Sequence, residues 1–168
     1  FRNPLVDSNI LGVTSGAGFG AALMLLISAG AGMVQLSAFG FGLLAVFLAY
    51  TVSRLYYSAP LLVLALVGIL IGSFFGSLTS VLKYIADPLD SLPAITYWLM
   101  GSLSGATNKN VAFAAIPMAI GLIPMLLLRW RLNVLTLGDD EAKTMGVNVG
   151  RMRVVVIICS TLITAASV

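Results

Sequence analysis

A run of 46 consecutive residues, 8–53, contains no charged side chain. Four further uncharged runs cover 55–82, 91–108, 110–128 and 154–168. A helix that crosses a membrane needs about 20 predominantly apolar residues, so several of these runs are long enough to span. Membrane β-strands would instead give segments of about 10 residues with alternating hydrophobicity. The pattern therefore predicts an all-α, polytopic helical membrane protein.

The composition agrees with this class. The mean hydropathy is +1.07 and charged residues make up 9% of the chain, against about 25% in soluble domains. The net charge of +3 does not indicate nucleic-acid binding, because the basic residues are scattered and flank the apolar runs, as membrane topology requires. A single cysteine, Cys159, excludes a disulfide within the chain, and without histidine we expect no histidine-based metal site.

The uncharged runs predict about five spans. Gly30–Gly32 offers a break in the longest run, and Pro60 fits the first turn of a helix. The chain begins with Phe1 and stops within an apolar run, so we expect an internal piece of a longer protein and treat 1–168 as one partial membrane domain. The predicted spans are 14–31, 36–53, 59–82, 109–128 and a fifth that begins near Arg151.

The stretch 91–108 is uncharged but rich in glycine and hydroxyl groups, so its placement depends on charge. If it does not span, seven basic residues lie on one side and two on the other; if it spans, the split is three to six. Basic residues collect on the cytoplasmic side. We therefore expect 91–108 to be a short external helix, and the connection Leu135–Arg153 to be cytoplasmic.

That cytoplasmic connection holds six of the fifteen charged residues. Acidic residues in a first turn favour the helix dipole, Gly146 suits a C-terminal cap, and Asn148 can cap the next span. The segment is either a solvated loop or a short helix that docks on a partner through apolar and charged contacts. The candidate contact residues are Leu137, Gly138, Asp139, Asp140, Glu141, Ala142, Lys143, Met145, Gly146 and Val147.

Small residues mark two of the predicted spans. Gly68, Gly72 and Gly76 recur every four residues beside a row of hydroxyls, which indicates either close helix packing or a lining of a transport pathway. The hydroxyl residues are Ser73, Ser77 and Ser80. The stretch 14–22 has three glycines but lacks the strand, lysine and acidic partner of a nucleotide loop, so we expect close packing there. No GxxxxGK[ST] motif occurs, so we expect no ATP hydrolysis by this chain.

Three stretches together resemble the FecCD/BtuC-type permeases, the membrane subunits of ABC importers for iron–siderophore chelates, haem and cobalamin. "FRNPLVDSNILGVTSGAGFGAAL" is similar to that family's cytoplasmic entry to the third helix. "YWLMGSLSGAT" resembles its external segment before the sixth helix, and "RLNVLTLGDDEAKTMGVNVGRMR" its cytoplasmic coupling loop between the sixth and seventh helices. The order and spacing of the three stretches also agree with the family.

The resemblance implies a function and partners. It implies a ten-helix permease in a bacterial or archaeal plasma membrane, working as two permease copies with ATP-binding subunits that hold ATP and Mg and with an external substrate-binding protein. The substrate expected is a metal chelate, most of all an iron–siderophore. The turn of Arg54, Tyr56, Tyr57 and Ser58 would lie near an inner gate. The alternatives are an ion-coupled secondary transporter and an intramembrane enzyme, which would need ionisable or catalytic residues within the spans.

Overall fold

The computed structural model describes residues 11–55, 60–101 and 108–167, and these form eight helices. Five of the helices are longer than ten residues, and three shorter ones lie in the connections between them. In chain order the helices are α1 (Val13–Leu26), α2 (Ala31–Arg54), α3 (Pro60–Ile85), α4 (Ser91–Met100), α5 (Asn108–Leu127), α6 (Arg129–Leu137), α7 (Asp139–Thr144) and α8 (Val149–Ser167).

Among the described residues, three helices are long and apolar enough to cross a membrane, namely α2, α3 and α8. A fourth span is formed if the end of α5 and α6 are taken together as one bent pair. The remaining apolar helix, α1, has 14 residues, which corresponds to about 21 Å. The span predicted over 14–31 is therefore wrong in length: the chain already turns at Ile27 and Ser28, and Ser28 takes a positive φ of 52°.

Helix α1 packs most closely against α2, and glycine makes the approach possible. A Cβ at Gly16 would lie 2.6 Å from the carbonyl oxygen of Phe41, and one at Gly20 would lie 2.5 Å from that of Ser37. The Ser37 hydroxyl also donates a 2.8 Å hydrogen bond to the Gly20 carbonyl oxygen. Residue numbers increase along α1 in the direction in which they decrease along α2, so the two helices are antiparallel. This confirms close packing in the glycine-rich stretch 14–22.

Helix α1 also packs against α3 and runs parallel to it. A Cβ at Gly12 would lie 3.1 Å from both the Gly68 carbonyl oxygen and the Gly72 nitrogen. About two helical turns further on, the rings of Phe19 and Phe75 lie 5.6 Å apart. At the far end of this pair, a buried cluster joins α1 and α3 to α4. The members of this cluster are Ala22, Leu82, Ala86 and Ile95.

The direction of the last long helices decides where 91–108 lies. Helix α8 is antiparallel to α2, since the start of α8 lines a groove with the end of α2, whereas Ala165 approaches Gly42. Helix α5 is antiparallel to α8, since Gly121 lies against Cys159 and Leu128 packs on the cluster containing Met152.

It follows that α3 ends, and α5 begins, at the same end of the bundle. Helix α4 lies between them at that end and has only 10 residues. The prediction that this stretch does not span is confirmed for its described part, residues 91–101. The basic residues of α6, α7 and the start of α8 collect at the opposite end, which the distribution of positive charge identifies as cytoplasmic.

Candidate functional site

The cytoplasmic connection is built from two short helices that meet at a sharp break. Helix α6 is bent by 62° from the end of α5. It ends at Gly138, whose φ of 135° and ψ of 163° stop the helix, and α7 begins directly afterwards. The first turn of α7 contains Asp139, Asp140 and Glu141. Three acidic residues therefore lie at the positive, N-terminal end of the helix dipole, where negative charge is favourable. The segment is therefore helical, as predicted.

Helix α7 ends in a Schellman motif. Gly146 adopts a φ of 76°, the left-handed conformation that glycine takes without steric cost. The Val147 N–H donates to the Ala142 carbonyl oxygen at 2.9 Å, and the Gly146 N–H donates to the Lys143 carbonyl oxygen at 3.0 Å. These two bonds satisfy carbonyls that the helix end would otherwise leave without partners. The prediction of a glycine cap at Gly146 is confirmed.

The start of α8 is capped as well. The Arg151 N–H donates a 3.0 Å hydrogen bond to the side-chain oxygen Oδ1 of Asn148. An asparagine in this position satisfies one of the free donors of a helix N-terminus. The prediction that Asn148 caps this helix is also confirmed. Two defined caps therefore leave almost no irregular backbone between α7 and the membrane helix α8.

A small apolar cluster clamps α7 onto its neighbours. Ala142 is fully buried and Val147 is 6% exposed, and they pack with one residue of α6 and two of α8. These three are Val134, Val149 and Met152. Ala142 and Val147 were expected to contact a partner, and this expectation is wrong because both are already covered by the chain itself. No local sequence signal indicates the cluster, because its members come from separate segments that meet only in the folded chain.

Several side chains of this connection are exposed. Met145 is 53% exposed and Leu137 is 47% exposed. Glu141 and Lys143 are exposed as well. The exposed surface thus combines apolar groups with charge, as interfaces commonly do. We call the exposed residues Leu137, Glu141, Lys143 and Met145 the coupling surface.

The glycine row of α3 divides into two parts. At Gly72, an added Cβ would lie 3.5 Å from the Gly12 Cα and 3.5 Å from the Ser15 hydroxyl, so this part and buried Gly68 face α1. At Gly76, an added Cβ would meet no described atom within 4 Å. The row predicted as one surface therefore packs against α1 in one half and is uncovered in the other.

Hydroxyl groups continue the uncovered half of the row. Ser73, Ser77 and Ser80 are exposed, and each donates a hydrogen bond to the carbonyl four residues earlier, at 2.9, 2.9 and 3.1 Å. Their protons are thus used within the helix. Small residues such as these are enriched where a second helix approaches closely, so the face suits contact with protein.

The predicted inner-gate turn follows the end of α2. Helix α2 ends at Arg54 and α3 begins at Pro60, both at the cytoplasmic end of the bundle. Tyr56, Tyr57 and Ser58 lie outside the described residues. Among the residues that the structure describes, no group of three or more Asp, Glu or Cys side chains could hold a metal ion.

Together, these features define a polytopic helical membrane protein with a rigid cytoplasmic connection between two of its membrane helices. The sequence model of the FecCD transport family matches residues 1–168. The chain belongs to this family.

Individual relatives support this family assignment. The chain is 38% identical to the molybdate import system permease protein MolB of Haemophilus influenzae, and the match covers 100% of this chain and 50% of that protein. It is 35% identical to the cobalamin import system permease protein BtuC of Halobacterium salinarum, over 100% of this chain and 45% of that protein. The chain thus spans about half the length of these relatives.

A solved structure has the same fold. It is an inward-facing conformation of a metal-chelate type ABC transporter, with a TM-score of 0.91 and 36% sequence identity. The match covers 98% of this chain and 52% of that chain. The identity is high enough for the likeness to extend beyond overall topology to the arrangement of the helices described above.

Proposed function

We propose that this chain forms part of the permease subunit of an ATP-driven importer and that α7 receives the movement of an ATP-binding subunit. The observation that carries the proposal is the coupling surface on a short helix that is capped at its end and clamped to α6 and α8. A partner subunit, holding ATP and Mg, would supply the free energy that a permease without a phosphate-binding loop cannot obtain itself.

The clamp supports a mechanical role for α7. The buried contacts of Ala142 and Val147 join α7 to α6 and to the first turn of α8. A displacement of α7 would therefore move α8 directly, and through the α5–α8 packing it would move α5 as well. A solvated loop would absorb such a displacement, because nothing would couple its position to that of the helices. The proposal thus favours docking over the solvated-loop alternative.

The uncovered half of the α3 row is the proposed pathway surface. It comprises Gly76 and the hydroxyls of Ser73, Ser77 and Ser80, and the turn before α3 is the proposed inner gate. A second permease copy across this face would enclose a path lined by small and weakly polar groups. An external substrate-binding protein would deliver the substrate at the end of the bundle where α4 lies.

The substrate we propose is a metal chelate, with an iron–siderophore as the first candidate. Support for the class comes from the metal-chelate transporter with the same fold. One relative is named for molybdate and another for cobalamin, so uptake of an iron–siderophore, haem, cobalamin and molybdate should be compared in one strain. Accumulation of molybdate alone would contradict the chelate proposal while leaving the coupling proposal intact.

The ion-coupled alternative is less well supported by the placement of charge. Ion-coupled transporters place ionisable residues near the middle of the membrane. In α2, α3 and α8 the charged residues are Arg54, Lys83, Arg151 and Arg153, and each lies within the first or last five residues of its helix. Uptake that persists without ATP and follows an ion gradient would support the alternative.

Charge reversal at the coupling surface tests the proposal. We expect Glu141→Lys to weaken association with the ATP-binding subunit severalfold, since an exposed ion pair contributes about 0.2–1 kcal/mol and reversal replaces attraction with repulsion. We expect Met145→Asp to weaken it by more than about 10-fold, because a charge would enter an apolar contact without a partner.

The matched control is Asp90→Lys, which makes the same charge reversal at the opposite end of the bundle, on an exposed side chain without a capping hydrogen bond. It should bind the ATP-binding subunit like the wild type. If Glu141→Lys and Met145→Asp also bind, stimulate hydrolysis and transport like the wild type, α7 is only a solvated segment and the coupling proposal fails.

A further inference from the structure

The connection between α5 and α6 carries a second surface, separate from the coupling surface. The backbone turns by 62° there but remains hydrogen-bonded. The Leu128 N–H donates to the Pro124 carbonyl oxygen at 2.9 Å, and the Leu132 N–H donates to the Leu128 carbonyl oxygen at 3.0 Å. Helix α6 therefore leaves the direction of the membrane helix α5 at a defined angle and begins where the apolar part of α5 ends.

The two faces of this turn differ in their surroundings. Leu128 and Leu132 are partly buried against the cluster that clamps α7. On the other face, Leu127 is 79% exposed and Trp130 is 62% exposed, and Arg129 and Arg131 are exposed on either side of the indole. We call Leu126, Leu127, Arg129, Trp130 and Arg131 the elbow surface.

The elbow surface carries two positive charges. Arg129 and Arg131 are both exposed. The nearest acidic residues in the sequence follow Gly138, beyond the whole length of α6. Two guanidinium groups thus lie beside large apolar side chains at the cytoplasmic end of a membrane helix.

This combination complements one kind of partner. Tryptophan is favoured at the membrane–water interface because its ring is apolar and its N–H needs water or a headgroup. Arginine binds phosphate with paired, charge-assisted hydrogen bonds. A phospholipid with an anionic headgroup offers phosphate and acyl chain side by side, in the order in which the elbow surface presents arginine and leucine.

We propose that the elbow surface is a binding site for anionic phospholipid at the cytoplasmic leaflet. Arg129 and Arg131 hold the phosphate, Trp130 lies at the level of the glycerol backbone, and Leu126 and Leu127 contact the acyl chain. Bound lipid would fix the angle between α5 and α6, and thereby the height at which α7 meets its partner. The lipid site itself does not depend on transport or on the identity of the substrate.

The test uses the full permease, labelled with 5-fluorotryptophan, in nanodiscs of phosphatidylcholine with a minority of phosphatidylglycerol. The fluorine resonance of Trp130 is assigned by its loss in Trp130→Phe. A nitroxide is placed near the glycerol end of the acyl chain, either on phosphatidylglycerol or on phosphatidylcholine at the same fraction. We expect labelled phosphatidylglycerol to broaden the Trp130 resonance more than labelled phosphatidylcholine does. The expected ratio is about fivefold for each arginine that binds the headgroup, because one basic residue is attracted to an anionic membrane surface by about 1 kcal/mol.

Two controls test whether the lipid preference depends on the arginines and is confined to this end of the bundle. Arg129→Gln with Arg131→Gln should make the two labelled lipids broaden Trp130 equally. The Trp98 resonance, which reports on α4 at the other end of the bundle, should be unaffected by this change. The proposal is wrong if the wild-type Trp130 responds equally to both labelled lipids. It is also wrong if Trp130 responds to neither lipid and shifts only when the ATP-binding subunit is added, because the surface then belongs to that subunit.

Discussion

Replacement of Gly146 by alanine isolates the contribution of the α7 cap. The φ of 76° at this position costs a residue with a Cβ about 1–2 kcal/mol. No other described atom lies within 4 Å of the Cβ that alanine would add, so the cost arises from the local backbone conformation and not from a clash with a neighbouring segment. Since RT is about 0.59 kcal/mol, we expect the end of α7 to open about 5–30 times more often. The cap, and not a side-chain contact, would be lost.

Hydrogen exchange of the backbone amides measures this opening. In Gly146→Ala, the Val147 amide, which is bonded to the Ala142 carbonyl oxygen, should exchange about 5–30 times faster. In Gly146→Asn, the exchange rate of the Val147 amide should lie between those of the wild type and Gly146→Ala, because asparagine tolerates the left-handed conformation better than alanine. If the cap transmits movement, Gly146→Ala should also reduce ATP hydrolysis stimulated by loaded binding protein while the ATP-binding subunit stays bound.

Gly30→Ala is the matched control. Its φ is −62°, and an added Cβ there would also meet no described atom within 4 Å. The same chemical change should therefore leave exchange at Val147 unaltered. Equal exchange rates in Gly146→Ala and the wild type would refute the argument that α7 depends on its left-handed cap.

Three further predictions concern packing and topology. Gly20→Ala should destabilise the bundle by about 1–3 kcal/mol in thermal unfolding, because its Cβ would lie 2.5 Å from a carbonyl oxygen, whereas Gly40→Ala, with nothing within 4 Å, should not; equal melting temperatures would contradict this. Gly72→Leu should lower the thermal stability of the bundle, because the larger side chain would push α3 away from α1. Gly76→Leu should leave the thermal stability unchanged and reduce uptake of the substrate. Wild-type uptake in Gly76→Leu would contradict the role of this face in the pathway. A cysteine replacing Leu89, which is 94% exposed, should react with an impermeant thiol reagent added from outside, and labelling only from the cytoplasmic side would overturn the topology.

Local signals in the sequence predict the ends of helices well when a residue has a specific backbone role. Pro60 is the first residue of α3, Gly146 takes the left-handed cap of α7, and the Asn148 side chain caps α8. Each of these effects acts within one turn of helix, so no knowledge of the tertiary structure is needed. The distribution of charge along the whole chain similarly predicts that the short helix α4 does not cross the membrane.

Features that depend on packing between helices were not predictable in the same way. The turn at Ile27 and Ser28 ends α1 early, inside a continuous apolar run where no charge or proline marks the boundary. The burial of Ala142 and Val147 follows from the fold of α7 onto α8, which composition does not reveal. The glycine repeat of α3 likewise does not indicate that α1 covers only its first half.

Site-specific photo-crosslinking at Met145 tests the central claim most directly. Met145 is 53% exposed on the coupling surface, so a benzoylphenylalanine at this position should cross-link to the ATP-binding subunit when the whole transporter is irradiated. The same group at Leu89, exposed at the opposite end of the bundle, should give no such product. A cross-link from Met145 to the ATP-binding subunit is the result that we predict. Its absence in a transporter that still hydrolyses ATP and imports substrate would contradict docking through α7.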